Sequence, residues 1–280
     1  MPPNVAQAVP QPVPTVTTID DVVAALDGIL EWAGAEASRL GYFAALYKRI
    51  TLAVGKAIDD GAFDDGPRLE RLDVAFAARY FDAFNGYFHP SECPKPTRSW
   101  RTTFDHASDV KPIVVQHMLS GITSHIVLDL GIAALDVTGR RGLRAVKHDF
   151  DVINAVLASQ INGVVADIND ISPALADIYA VLRDNQIFVI NQAIKALRDS
   201  AWRFATVLAL EPSFARRPTI LARDIQVSRQ CASVFDPPGI VGVLDAAIKA
   251  IADRESRDVA ANIRILDDVA SSPSDIMTEL

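Results

Sequence analysis

The chain is poor in cysteine, in strand-type alternation and in runs of a single charge. Two cysteines in 280 residues, Cys93 and Cys231, cannot build a disulfide framework or a thiolate metal site. They read as reduced thiols of an intracellular, cytoplasmic protein. No basic run exceeds a pair or two (Arg140-Arg141, Arg216-Arg217), and 27 Lys plus Arg against 35 Asp plus Glu leave a net charge of −8. That balance argues against sequence-independent nucleic-acid binding, which neutralises phosphates with Lys and Arg. No basic segment leads into an apolar one at the N-terminus, so no secretory signal is expected. Period-2 alternation flanked by hairpin turns is nearly absent. So are G-x-S-x-G, a Walker sequence, G-x-G-x-x-G after a strand, H-E-x-x-H and H-x3-H.

Apolar residues make up 50% of the chain and charged ones 22%, an ordinary globular composition with a core large enough to need no disulfide or structural metal. Pro2, Pro3, Pro10, Pro12 and Pro14 mark residues 1–16 as a disordered or polyproline-like tail. The remaining prolines fall between helix-like runs. Thr18 is a candidate N-cap for a helix over 19–32, with Asp20 and Asp21 in its first turn. Further runs cover about 37–60 (with Gly61 as C′), 67–87, 99–108, 112–137, 143–168, 172–185, 186–210, 219–234 and 239–267. The fold class is all-α, a single compact multi-helix bundle over 17–270 with a buried central helix.

The run over 112–137 is apolar on every side, from Ile113 to Leu135. Such a helix is buried or spans a membrane. Gln116, His117, Ser120, Ser124, His125 and Asp129 interrupt it too often for a span, so no membrane partner is expected. His117, Gly121, His125 and Asp129 lie on one stripe. Gly121 leaves a gap that reads equally as a pocket or as a close helix contact. His125 and Asp129, at i and i+4, can share a ligand, and a buried imidazole and carboxylate need a partner or a metal. His117 stands ~12 Å further back along the axis. On the run over 143–168, Asp149 lies on the buried flank and Asn154 on the other. On the run over 67–87, Asp73 borders the apolar stripe, half a turn away from Asp82. Arg198 and Trp202, four residues apart, read as a packed and stacked pair.

Carboxylates and imidazoles facing the inside of a bundle are where helical proteins place metals. His117, His125 and Asp129 are the candidate ligands, and Asp73, Asp149 and Asn154 the candidate catalytic groups. Zn²⁺ suits such a donor set, with Fe or Mn as alternatives. It would act as a Lewis acid beside a proton-transfer group in a water-excluding pocket.

The blocks GPRLERLDVAFAARYFDAF (66–84), SWRTTFDHA (99–107), KPIVVQHMLSGITSHIVLDLGIAA (111–134) and HDFDVINAVLA (148–158) resemble a family of uncharacterised all-α proteins common in actinobacteria, over roughly residues 40–205. Its specific element is His-x7-His-x3-Asp-Leu. The chain also resembles the cyclopenases, zinc-dependent helical lyases of quinolone alkaloid biosynthesis. That resemblance implies ring contraction of a cyclopenin-type benzodiazepinedione epoxide to a viridicatin-type quinolone, with loss of methyl isocyanate. Two other readings stand beside it. One is a metal-dependent hydrolase or phosphoesterase acting on another small molecule. The other is a non-catalytic helical binding protein in which His125 and Asp129 are a core pair. A small-molecule partner and possible homo-oligomerisation complete the expectations.

Overall fold

A computed structural model of the chain describes residues 8–175, 186–236 and 243–270. The described residues contain no strand. Their helices are α1 (Ile19–Ala35), α2 (Leu40–Asp59), α3 (Gly66–Phe88), α4 (Arg98–Asp105), α5 (Val114–Ile122), α6 (Leu130–Gly142), α7 (Lys147–Ile171), α8 (Gln186–Leu210), α9 (Ser213–Phe235), α10 (Val243–Ala252) and α11 (Val259–Ala270). Residues 176–185 of the expected 172–185 helix lie outside the described residues.

Local chemistry sets most boundaries. Thr18 and Asp21 form a capping box at the start of α1. Gly61, at φ +73°, follows α2, with the Gly61 and Ala62 N–H groups donating to the carbonyls of Ile58 and Ala57, a Schellman ending that glycine adopts without Cβ strain. Asp65 caps α3, and Pro67 sits in its first turn. Two boundaries depart from expectation. Helix α9 begins at Ser213 and carries Pro218 inside it, at an exposed position where the missing N–H costs one helical bond. The run over 239–267 is broken into α10 and α11, because Asp258 caps a new helix by accepting from the Ala261 N–H.

The proline-rich segment is the third departure. A disordered tail is not what residues 8–16 form. Asn85 accepts from the Val13 N–H and donates to its carbonyl, both at 2.8 Å. The Trp32 indole donates to the Ala8 carbonyl at 2.7 Å, and His89 Nε2 bonds the Pro10 carbonyl at 2.9 Å. Proline-rich backbone leaves its carbonyls unused; side chains of α1, α3 and the residue after α3 take them up.

The core is organised around α5 and α6, which are continuous through a π-helical turn, Thr123–Asp129, where the Leu130 N–H reaches back to the His125 carbonyl. Helices α2, α3, α8 and α9 pack around this rod. Its most apolar stretch is long enough to cross a membrane, yet 83% of that window is buried inside the bundle, as a core helix must be. The α5 N-terminus is closed from the far end of the chain: Glu255 accepts from the Val114 N–H at 2.9 Å and from the Ser172 hydroxyl at 2.6 Å. Each fully buried leucine or phenylalanine here, such as Leu128, Leu69 or Phe84, contributes ~1.5–3 kcal/mol.

Gly121 is a close helix contact and not a pocket. A Cβ there would lie 2.5 Å from the Phe43 ring of α2 and 2.9 Å from its Cβ, so neither helix can yield by moving a flexible side-chain tip. Gly121→Ala is expected to lower stability by about 1–3 kcal/mol in a urea titration, through overpacking alone.

Candidate functional site

The π turn carries both His125 and Asp129. Such turns are rare and recur at functional sites. Both side chains are almost fully buried. Asp129 is held from three sides. Arg79 Nε donates to Oδ1 at 2.8 Å, Trp100 Nε1 donates to Oδ2 at 2.7 Å, and His125 Nδ1 lies 3.4 Å from Oδ2. Burial opposes ionisation of Asp129, but Arg79, His125 and Trp100 together outweigh it and hold the carboxyl below the usual range. Burial also pulls the His125 imidazole below its ordinary value, against the hydrogen bond it makes to the Asp129 carboxylate. Arg79 and Asp129 form the ion pair at 2.8 Å, burial favours the uncharged imidazole, and a carboxylate facing Nδ1 is satisfied only by the tautomer that carries its proton there. That leaves a lone pair on Nε2, which has no hydrogen-bond partner. The ring is fixed flat against Phe76, with centroids 3.5 Å apart and planes 6° apart, and edge-on to Tyr47 at 4.7 Å.

His125 lines a cavity of about 110 Å³ between α2, α3, the π turn, α7 and α8. Its walls are aliphatic and aromatic, with four polar groups: Tyr47, Asp73, His125 and Arg198. Asp73 is buried and its Oδ2 is unpartnered. Desolvation, reinforced by Glu70, raises its pKa to about 7. Burial and the nearby Asp73 and Asp129 keep the Tyr47 phenol protonated. Among the described residues, no serine, threonine or cysteine lines this cavity. A larger hollow of about 640 Å³ lies under the proline-rich segment; its lining includes Asp21 and Glu31 but none of the buried unpartnered polar atoms found among the described residues, so the smaller one is the candidate site.

Of the residues singled out in the sequence, the structure brings Asp73, His125 and Asp129 to one place. The other three go elsewhere. His117 faces Tyr42 and Phe235 and lines a separate crevice with Arg39; burial, then Arg39, pushes its pKa down to about 3. Asp149 is fully buried but structural: it accepts from the backbone N–H groups of Asp64 and Asp65 at 2.7 and 3.3 Å and from Arg68 at 3.1 Å. It thereby pins the loop before α3 to the start of α7. Asn154 is half-buried and does not line the cavity, although its neighbours Ile153 and Leu157 do. Arg198 does not stack on Trp202: its guanidinium lies over Phe150 at 4.3 Å, and Lys147 covers Trp202. Arg79 and Trp100, which orient Asp129, were not legible as site residues, although Trp100 lies within the SWRTTFDHA block.

The donor set does not fit the expected zinc ion. Among the described residues, no three His, Cys, Asp or Glu side chains converge as a metal shell would require. His117 is in another crevice, and both oxygens of Asp129 already accept hydrogen bonds, one from a guanidinium that takes the place a cation would occupy.

Fold and site together define an all-α bundle whose core helix presents an aspartate-backed imidazole to an apolar cavity. The chain belongs to the DUF5995 family, a family of unknown function, which matches residues 19–237. No curated protein and no solved structure matches it. The family match agrees with the resemblance to uncharacterised all-α proteins and lends no support to a cyclopenase identity.

Proposed function

We propose that the protein is a metal-independent acid–base enzyme, acting at carbon on a small apolar molecule bound in the cavity between α2, α3, α7 and α8. The observation that carries this reading is the unpartnered Nε2 of His125, dry, sterically fixed by Phe76 and backed at Nδ1 by Asp129. A buried base with an oriented ring and a carboxylate behind it is the arrangement that general-base chemistry uses. Among the described residues no Ser, Thr or Cys lines the cavity, which disfavours acyl transfer through such a nucleophile at this site.

In this reading Nε2 removes a proton from carbon, and the electron pair moves toward a second position. Asp73, half-protonated near pH 7, delivers its proton there. The product is an isomer, or an alkene with a protonated leaving group, so no oxidant or reductant is needed. The proton left on His125 and the charge left on Asp73 cancel by exchange with solvent. The class of reaction, lyase or isomerase on a small molecule, needs no Lewis acid, because the protein supplies both proton-transfer groups.

The test is deuterium wash-in. Small apolar carbonyl compounds and carboxylates bearing an acidic C–H are incubated with the protein in D₂O and followed by NMR. Exchange is expected with the parent protein and should fall by about 10²–10⁴-fold in His125→Ala, the usual worth of a positioned base. A panel in which compounds bind yet none exchanges would overturn the proposal.

A further inference from the structure

Among the described residues, the buried cations follow a rule with one exception. Lys48 is paired with Asp27 and Asp267, both at 2.6 Å, and Arg49 with Asp167 at 3.1 Å. Arg198 is buried as deeply, with 3% of its surface exposed, yet no carboxylate among the described residues lies within ion-pair distance. Asp151 and Asp199 act on it only from beyond ion-pair distance, and Asp151 is itself paired with Lys147. Among the described residues Arg198 has one hydrogen bond, from Nη2 to the Phe150 carbonyl at 2.6 Å, and a ring beneath it. Its Nε–H has no partner. Burial draws its pKa down to about 10, against the more distant Asp151 and Asp199. A buried charge without a counter-charge is among the costliest features a core can carry. This one lines the same cavity as His125 and Asp73.

We infer that the ligand of this cavity is a short apolar carboxylate, whose carboxylate is the missing counter-charge of Arg198 and whose hydrocarbon part fills the space between Phe76, Leu72 and Ile153. This inference rests on the proposed function for its site but adds the substrate class. A guanidinium with free N–H groups is the side chain best shaped to take a carboxylate, through two parallel bonds in a dry site. The dimensions agree. A cavity of ~150 Å³ accepts benzene, so about 110 Å³ suits a branched chain of four or five carbons. The division of labour follows: Arg198 holds the charged end, and His125 and Asp73 face the hydrocarbon.

The experiment is calorimetric binding of isobutyrate, isovalerate and benzoate, each against its neutral amide. The parent protein is expected to bind at least one acid at least tenfold more tightly than the amide. Arg198→Met should lose that preference, and Arg198→Lys should keep part of it. A thermal melt supplies a readout that a merely structural arginine would not give: removing an uncompensated buried charge should leave Arg198→Met as stable as the parent or more so, and added acid should raise the melting temperature of the parent only. Equal binding of acids and amides by the parent, or no binding of either, overturns the inference. So does an Arg198→Met protein that melts earlier while the parent shows no preference. If acids bind through Arg198 and no deuterium exchanges, the catalytic reading fails and the ligand class stands. If neutral carbonyl compounds exchange while acids do not bind, the reverse holds.

Discussion

Asp129→Ala is expected to destabilise the protein by about 3–5 kcal/mol and to abolish proton transfer at His125. The stability loss has three parts. Arg79 loses its ion-pair partner, Trp100 Nε1 loses its only acceptor, and His125 Nδ1–H is left without one in a dry core. Arg79 retains some access to water, with 27% of its side chain exposed, which places the cost toward the lower end. Asp129→Asn separates the two roles: it keeps an oxygen for Trp100 but no longer compensates Arg79 or holds the imidazole tautomer. It should fold with a smaller penalty and still lose at least ~10²-fold in deuterium exchange. Urea titration gives the first quantity, NMR the second. An Asp129→Ala protein as stable as its parent would show that the three bonds are not formed together.

Asp73→Asn should act in the opposite direction on stability. Burial raises the Asp73 pKa from 3.8 to about 7, so between those two values the folded protein holds a proton that the unfolded chain has released. Stability therefore falls as pH rises from about 4 to about 7 and is flat above. Between pH 5 and pH 8 this one group removes roughly 3 kcal/mol, at 1.36 kcal/mol per unit of pKa difference. An asparagine does not ionise. Relative to the parent, Asp73→Asn is expected to gain about 2–3 kcal/mol more at pH 8 than at pH 5, read from urea midpoints at the two pH values. The same substitution removes the proposed proton donor, so gain in stability and loss of exchange should appear in one variant, as they do where an active site is kept at the expense of the fold. A stability difference independent of pH would mean that Asp73 is solvated.

The helices were legible because their signals are local. Thr18 with Asp21, Gly61 and Asp65 with Pro67 mark ends through bonds made within one turn, and the all-round apolarity of 112–137 announces a core helix whatever surrounds it. The pair His125 and Asp129 could be read from i,i+4 spacing, and Asp73 from its place beside an apolar stripe. What failed was long-range. Asp149 looks the same in sequence whether it meets a substrate or the N–H groups of Asp64 and Asp65, 85 and 84 residues away. His117 and His125 share a helical stripe, yet different neighbours, Phe235 for one and Phe76 for the other, close over them. Arg79 lies 50 residues from the carboxylate it neutralises, and Arg198 is set apart only by what does not contact it.

The π turn between α5 and α6 also constrains how this chain can vary. A widened turn is an α-helix holding one surplus residue, and it sets the rotational phase between the half of the rod that meets Phe43 through Gly121 and the half that meets Ala201 through Gly131. Deleting a single residue within 123–129 would restore regular winding locally and swing every side chain beyond it by about 100°, turning Gly131 away from α8. The bundle can accept substitutions along this rod far more readily than a change in its length.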